Sequence, residues 1–282
     1  MTMTSDRDGE RAHPSSAGHR AGDAPATSSV ADWEAHPRYG AVPLLRLSHG
    51  ERPCTRLVVV SAHPDDESLG AAGLMATAHR QGVPVYVVLL TAGEASHRPS
   101  QLMTRHALAT TRLAEMENAL ARLAPEAPLV FLGAADGEVA AQEQAVAASL
   151  AGLVGDGSST LLAAPWRHDG HPDHEAAGRA AAVAAQRSGA RLLEYPVSLW
   201  PTRGPQDAPW EQMVRLDLDP DLIATKARAL QSHVSQLSTL PERVLAHFRG
   251  PVEHYVETPV EVPVEVPVEV PVEGQAEDAG PA

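Results

Sequence analysis

"LVVVSAHPDDESLG", residues 57–70, decides how this chain folds. An apolar, Val-rich run leads straight into a histidine, a proline and three carboxylates. A continuous apolar run of this length suits a strand covered on both faces. Charged groups rarely lie unpaired in a dry interior. The polar stretch therefore marks a strand end, and it is either an ordinary solvated turn or a loop that holds a cation.

Working outward, runs at 57–62, 84–90, 128–133, 160–165 and 190–197 read as strands. Helix-like stretches fall between them at 68–81, 102–123, 138–153 and 172–187. This alternation predicts a single Rossmann-like α/β domain of three layers, with a mostly parallel sheet and the site at the carboxyl ends of the strands. "MVRLDL" (213–218) reads as an edge strand. A last helix is expected from 220 to about 236, with Asp219 as its cap and Pro220 at its first position.

The two ends differ from this pattern. Residues 1–30 are polar and without periodicity, and they are expected to be disordered. The domain is assigned to residues 31–250, with "WEAHPRYGAVPLLRL" (33–47) as an irregular lead-in. From Pro251, "PVEHYVETPVEVPVEVPVEVPVEG" repeats with a period of four. Proline at that spacing disfavours a helix or a central strand, so residues 251–282 are expected to form an extended, disordered acidic tail. Such a tail could dock a protein partner, although plain solvation explains it as well.

The tail holds seven Glu, one Asp and no basic residue, more than half of the net charge of −14. The basic residues are 21 Arg and a single Lys, Lys226, and they form no stripe. Nucleic acid is therefore not an expected partner. No apolar run reaches the roughly 18–20 residues of a membrane span. The N-terminus lacks the apolar centre of a signal peptide. One cysteine, Cys54, rules out an intrachain disulfide and a Cys-rich zinc site. A soluble, cytoplasmic protein is expected.

His63 and Asp66 stand three apart in a turn stiffened by Pro64. An imidazole nitrogen and a carboxylate oxygen at that spacing can converge on one ion. Catalytic zinc sites typically use three protein ligands plus water, so a third must come from elsewhere. "PWRHDGHPDHEAAGRAAAVAA" (165–185) begins where the strand at 160–165 ends, on the same rim. His171 and His174 lie one turn apart there, so one could ligate while the other faces a substrate. The turn after the first strand lacks the G-x-G-x-x-G of a dinucleotide site, which excludes that reading.

These motifs carry a resemblance. "AHPDDESLGAAGLM" (62–75) with the later "HPDH" (171–174) resembles the PIG-L/LmbE-type zinc-dependent N-acetylglucosaminyl deacetylases, over roughly residues 56–237. The resemblance implies His63, Asp66 and His174 as ligands of Zn2+, with another divalent metal as an alternative. It implies Asp65 as general base, His171 as the group that steadies the oxyanion or protonates the amine, and Asp173 as the acid that keeps His171 protonated. Weaker matches are "TAGE" (91–94), Arg112 with Glu115, "FLGAADG" (131–137) and "KARALQSHVSQL" (226–237). They imply Arg112, Asp136 and Glu94 as substrate contacts, with His233 weaker still.

Structural roles compete with each of these. Asp65 could cap the following helix, and Asp173 could be a favourable charge in a helix's first turn. Arg112 and Asp136 could form surface ion pairs. Trp166, Tyr195, Trp200 and Trp210 could line a sugar-stacking wall or simply pack. The expected activity is hydrolytic removal of acetyl from an N-acetylglucosamine-type sugar or glycoconjugate. An amidase of a mycothiol-type thiol–sugar conjugate uses the same site, and a silent metal- or sugar-binding module would need neither Asp65 nor His171.

Overall fold

The computed structural model describes residues 28–48, 52–96 and 103–258. The elements run α1 (Val30–Glu34), β1 (Arg56–Ser61), α2 (Asp66–Gly70), α3 (Ala72–Arg80), β2 (Val85–Leu89), α4 (Arg105–Leu123) and β3 (Leu129–Phe131). They continue α5 (Glu143–Val154), β4 (Thr160–Pro165), α6 (Pro172–Ser188), β5 (Arg191–Tyr195), α7 (Leu199–Thr202), β6 (Met213–Asp217), α8 (Pro220–Leu230), α9 (Val234–Leu237), α10 (Glu242–Leu245) and β7 (Val252–Glu257).

The seven strands form one sheet in the order β3-β2-β1-β4-β5-β7-β6. Strands β1 to β5 are parallel, as the apolar runs predict, while β7 pairs antiparallel with both β5 and β6. Alternate residues of each strand serve opposite layers. Leu57, Val59, Leu161 and Ala163 join one core with residues of α3, α4 and α8. Val58, Val60, Leu162 and Ala164 join the other with α5 and α6. Truncating one such buried side chain, as in Leu57→Ala, costs about 2–5 kcal/mol.

The alanines of α6 bring it close to the sheet. A Cβ at Gly178 would meet the Pro165 carbonyl oxygen at 2.5 Å and the Arg167 nitrogen at 2.6 Å. That contact seats the start of α6 against the end of β4. The chain leaves β1 towards β2 on one side and meets β4 on the other. The carboxyl ends of β1 and β4 thus flank a topological switch point, where doubly wound sheets form their crevice.

The structure corrects the expected domain boundaries. The stretch Val252–Glu257, assigned to the tail, is a strand inside the sheet. It contains no proline, because the four-residue proline spacing is interrupted between Pro251 and Pro259. The lead also joins the fold earlier than expected. Ser29 caps α1 through a reciprocal pair with Asp32, and Trp33 is 1% exposed in the core. Residues 1–27 and 259–282, also expected to be disordered, lie outside the described residues.

Two predicted helices are broken. The one expected over 68–81 starts at Asp66 and is interrupted at Ala71 (φ −137°). The break leaves N–H groups without helical partners. Gly73 and Leu74 donate theirs to the Glu253 carboxylate at 2.8 and 3.0 Å, and Lys226 Nζ pairs with Glu253 at 2.7 Å. The helix expected to reach about 236 ends at Leu230 and resumes at Val234, with His233 at the junction.

Candidate metal and catalytic site

The loop after β1 carries His63 to Asp65 and α2 opens on Asp66; the loop after β4 carries Asp169 to His171, with Asp173 and His174 in the first turn of α6. Both loops end on the same rim, so the switch point brings the two motifs together. The ring centroids of His63 and His174 are 5.3 Å apart, and those of His171 and His174 are 4.5 Å apart. His63, Asp66, Asp173 and His174 are all buried.

Asp66 links the two predicted imidazole ligands. Its Oδ1 lies 3.2 Å from His174 Nε2, and its Oδ2 lies 3.6 Å from His63 Nδ1. Oδ2 also accepts the His63 backbone N–H at 2.8 Å, which ties the two ends of the turn together. The nitrogens facing away from Asp66 are held by other carboxylates. His174 Nδ1 is 2.7 Å from Asp169 Oδ2. His63 Nε2 is 3.1 Å from Asp173 Oδ2 and 3.2 Å from Asp136 Oδ1. A carboxylate on the far nitrogen fixes the tautomer and turns the near nitrogen towards a metal. Asp66 stands between His63 Nδ1 and His174 Nε2, and His63, Asp136 and Asp173 form a second set whose ligand atoms lie within 4.8 Å of one another and could hold an ion. His171 is also within reach, since ligand atoms of His63, His171 and His174 lie within 4.8 Å of one another.

Charge follows from this geometry. Burial opposes a charge on His174, yet Asp66 and Asp169 raise its pKa to about 10. Burial likewise opposes a charge on His63, and Asp136, Asp173 and Asp66 push its pKa well above the usual imidazole range. Asp66 lies well below the carboxylate range, because the two imidazoles outweigh its burial. Without an ion, the pocket is a set of buried ion pairs.

Asp65 is different. Burial raises its pKa to about 6, against the pull of the Arg112 guanidinium. Its φ of 132° makes it the one non-glycine residue with positive φ among the described residues. It occupies the N-cap position of α2 but makes no side-chain cap hydrogen bond, so the capping role fails. Strain of this kind clusters at functional sites.

The structure gives three of the predicted residues other contacts than expected. The Asp173 carboxylate accepts from Gly137 and Val139 N–H at 2.8 and 3.1 Å and lies 3.1 Å from His63 Nε2, so its hydrogen-bonding partners are not those of His171. His171 Nδ1 instead accepts the Asp173 backbone N–H at 3.2 Å. Burial and the nearby His174 and His63 depress the His171 pKa to about 3. These surroundings disfavour the protonated imidazole that the resemblance implies for His171.

Arg112, expected to touch substrate, is 3% exposed. It donates to the carbonyls of Gly93 (3.0 Å) and Pro64 (2.7 Å) and to Asp65 Oδ1 (3.1 Å). It holds the loop that carries Asp65. Gly93 is required there, because at φ 64° its Cβ would fall 1.9 Å from Arg112 Nη1. Asp136 and Glu94 stand at the site, but their carboxylates have protein partners. Asp136 contacts His63 and accepts Ala95 N–H at 2.7 Å, which takes its pKa down to about 2 despite burial. Glu94 Oε1 accepts Asp136 N–H at 3.0 Å.

The aromatic wall is core. Tyr195 is fully buried with its hydroxyl donating to the Val60 carbonyl, and Trp200 and Trp210 pack edge-on against Trp33. Sequence reasoning missed Asp169, whose signal was its place five residues before His174 in "RHDGHPDH". Its carboxylate also accepts Val197, Ser198 and Leu199 N–H at 2.9, 2.8 and 3.2 Å. It missed Glu67 as well.

Comparison with known proteins places the chain in a family. Residues 58–185 match the family described as PIG-L, GlcNAc-PI de-N-acetylase. A 1D-myo-inositol 2-acetamido-2-deoxy-alpha-D-glucopyranoside deacetylase of Mycobacterium sp. (strain JLS) is 30% identical over 238 residues, 66% of this chain and 75% of that protein. The chain belongs to the PIG-L family. A probable N-acetyl-alpha-D-glucosaminyl L-malate deacetylase 2 of Bacillus subtilis (strain 168) is 28% identical over 64% of this chain and 82% of its own length. The PIG-L fold extends to N,N'-diacetylchitobiose deacetylase from Pyrococcus horikoshii, with a TM-score of 0.51, 20% identity and coverage of 68% of this chain and 73% of that one. No helix among the described residues is long and apolar enough to cross a membrane.

Proposed function

We propose that this PIG-L protein is a metal-dependent hydrolase that removes the N-acetyl group from an N-acetylglucosamine-type sugar or glycoconjugate. One observation carries the reading: Asp65, a carboxylate with a raised pKa, stands next to the place where His63 Nδ1, Asp66 and His174 Nε2 converge. The relatives named as deacetylases of acetamido sugars support the substrate class.

His63, Asp66 and His174 would hold the ion, zinc or another divalent metal. When bound, such an ion polarises the amide carbonyl and lowers the pKa of a water to about 7. Asp65 accepts the proton of the attacking water as the new C–O bond forms. Arg112 keeps that carboxylate aimed through its contacts to Asp65 and Pro64. His171 Nε2–H donates to the oxygen that gains charge, a contact whose loss typically costs about 10²–10³ in rate. When the C–N bond breaks, Asp65 returns its proton to the departing amine, giving acetate and a free amino sugar.

The test is primary-amine release from a panel of N-acetylglucosaminides, using zinc-loaded and chelator-stripped protein with Asp65→Ala as control. Zinc-dependent release that the control lacks supports the reading. Zinc binding with no cleavage of any panel member contradicts it.

A further inference from the structure

Behind the base lies a buried polar cluster that the chemistry above leaves unused. Glu67 and His233 are both 0% exposed. Ser68 Oγ donates to Glu67 Oε1 at 2.7 Å. His233 Nε2 lies 3.2 Å from that same oxygen and 2.9 Å from Ser68 Oγ. Because Ser68 gives its hydrogen to Glu67, His233 Nε2 carries the hydrogen that faces both oxygens. On its other side, Glu67 Oε2 accepts the Asp65 backbone N–H at 3.2 Å and lies 3.5 Å from the Ser61 hydroxyl.

The strained Asp65 is therefore gripped from two directions. Arg112 holds its carboxylate and the preceding carbonyl, and Glu67 holds its N–H. A residue in such a backbone conformation costs about 1–3 kcal/mol and persists only where its surroundings over-determine it. A carboxylate sealed in this interior needs partners of its own. Those of Glu67 Oε1 are Ser68 and His233, the second arriving from the α8–α9 junction, 165 residues along the chain from Ser68. A purely structural histidine would not need to end on the group that fixes the base.

We propose that His233 is a positioning residue: through Glu67 it holds the Asp65 backbone in the strained conformation that aims the base, and so sets turnover rather than metal or substrate affinity. The kinetic part rests on the deacetylase reading.

The full chain carrying His233→Ala, His233→Asn or His233→Gln is compared with wild type. Asn is too short to place a donor at the Nε2 position, whereas Gln reaches it. Four quantities are read: kcat and KM for amine release, zinc stoichiometry, and hydrogen exchange at the Asp65 amide in the metal-free protein. For Ala and Asn, kcat is expected to fall about 10–100-fold, the effect of a misplacement of order 1 Å. KM and zinc content stay within about twofold, the Asp65 amide exchanges faster, and Gln recovers most of the loss. Turnover within about twofold of wild type in both loss variants overturns the proposal, as does an unchanged Asp65 exchange rate or a loss of zinc that parallels kcat. Should the Ala variant not fold, the Asn and Gln pair decides. If the wild type releases no amine, the functional reading falls, while Asp65 exchange still tests the clamp.

Discussion

Asp169 Oδ2 lies 2.7 Å from His174 Nδ1, and the opposite nitrogen of that ring lies 3.2 Å from Asp66 Oδ1. The ring is thus clamped between two carboxylates, with the candidate ion's position on the Asp66 side. Asp169→Asn keeps the shape and removes the charge. Zinc affinity, measured by competition with a chromogenic chelator, is expected to fall about 10–100-fold. Unchanged affinity would mean that Asp169 serves only the 197–199 backbone.

Metal binding should release protons. Without an ion, the carboxylates raise the pKa of His174 to about 10 and that of His63 well above its usual value, despite burial. These raised values stabilise the metal-free fold below the unfolded histidine pKa of about 6.5, and the contribution is lost as pH rises through the folded values. A metal ligand must be neutral. Calorimetry at pH 8 in buffers of different ionisation enthalpy is expected to show about two protons released per zinc, with affinity falling as pH is lowered.

Asp65 costs the metal-free fold stability. Its folded pKa of about 6, raised mainly by burial, means that the folded protein holds a proton which the unfolded chain releases near 4. Stability of the metal-free protein therefore falls as pH rises from about 4 to about 6. Asp65→Gly removes both this penalty and the positive-φ strain. At pH 7 its urea midpoint is expected to rise, corresponding to about 1 kcal/mol of unfolding free energy, while amine release is lost. A lower midpoint would show that the Arg112 contact outweighs the strain.

Glu253 anchors β7 to the broken helix. Glu253→Ala leaves Lys226 buried without its partner and strands the Gly73 and Leu74 N–H groups. Loss of one member of a buried pair costs about 3–5 kcal/mol, and urea denaturation should show it. Truncation after Gly250, at the boundary the proline pattern predicts, removes β7 and is expected to abolish cooperative unfolding. Cooperative unfolding of that truncation would contradict the place of β7 in the sheet.

The legible part of the molecule was local. Strands β1 to β5 show as Val- and Leu-rich runs because both faces of each are covered. His63, Asp66 and His174 stand out as candidates because their motifs are short and end strands. What stayed hidden depends on distant partners. β7 resembles its repeat neighbours until His254 and Tyr255 are noticed, and nothing near Ala71 announces that Glu253 will satisfy the helix break. The Asp173 carboxylate sits two residues from His171 yet turns to His63, 110 residues away. Arg112 looks like a surface residue of a helix until Gly93 and Pro64 are brought against it.

The most direct test of the central claim is the position of the metal. Crystals grown with zinc, measured on both sides of the zinc absorption edge, locate the ion from its anomalous signal. The account predicts one peak at about 2.0–2.3 Å from His63 Nδ1, an Asp66 oxygen and His174 Nε2, with Asp65 alongside but not bound to it. A peak held instead by His63 Nε2, Asp136 and Asp173, or no peak at all, would contradict it.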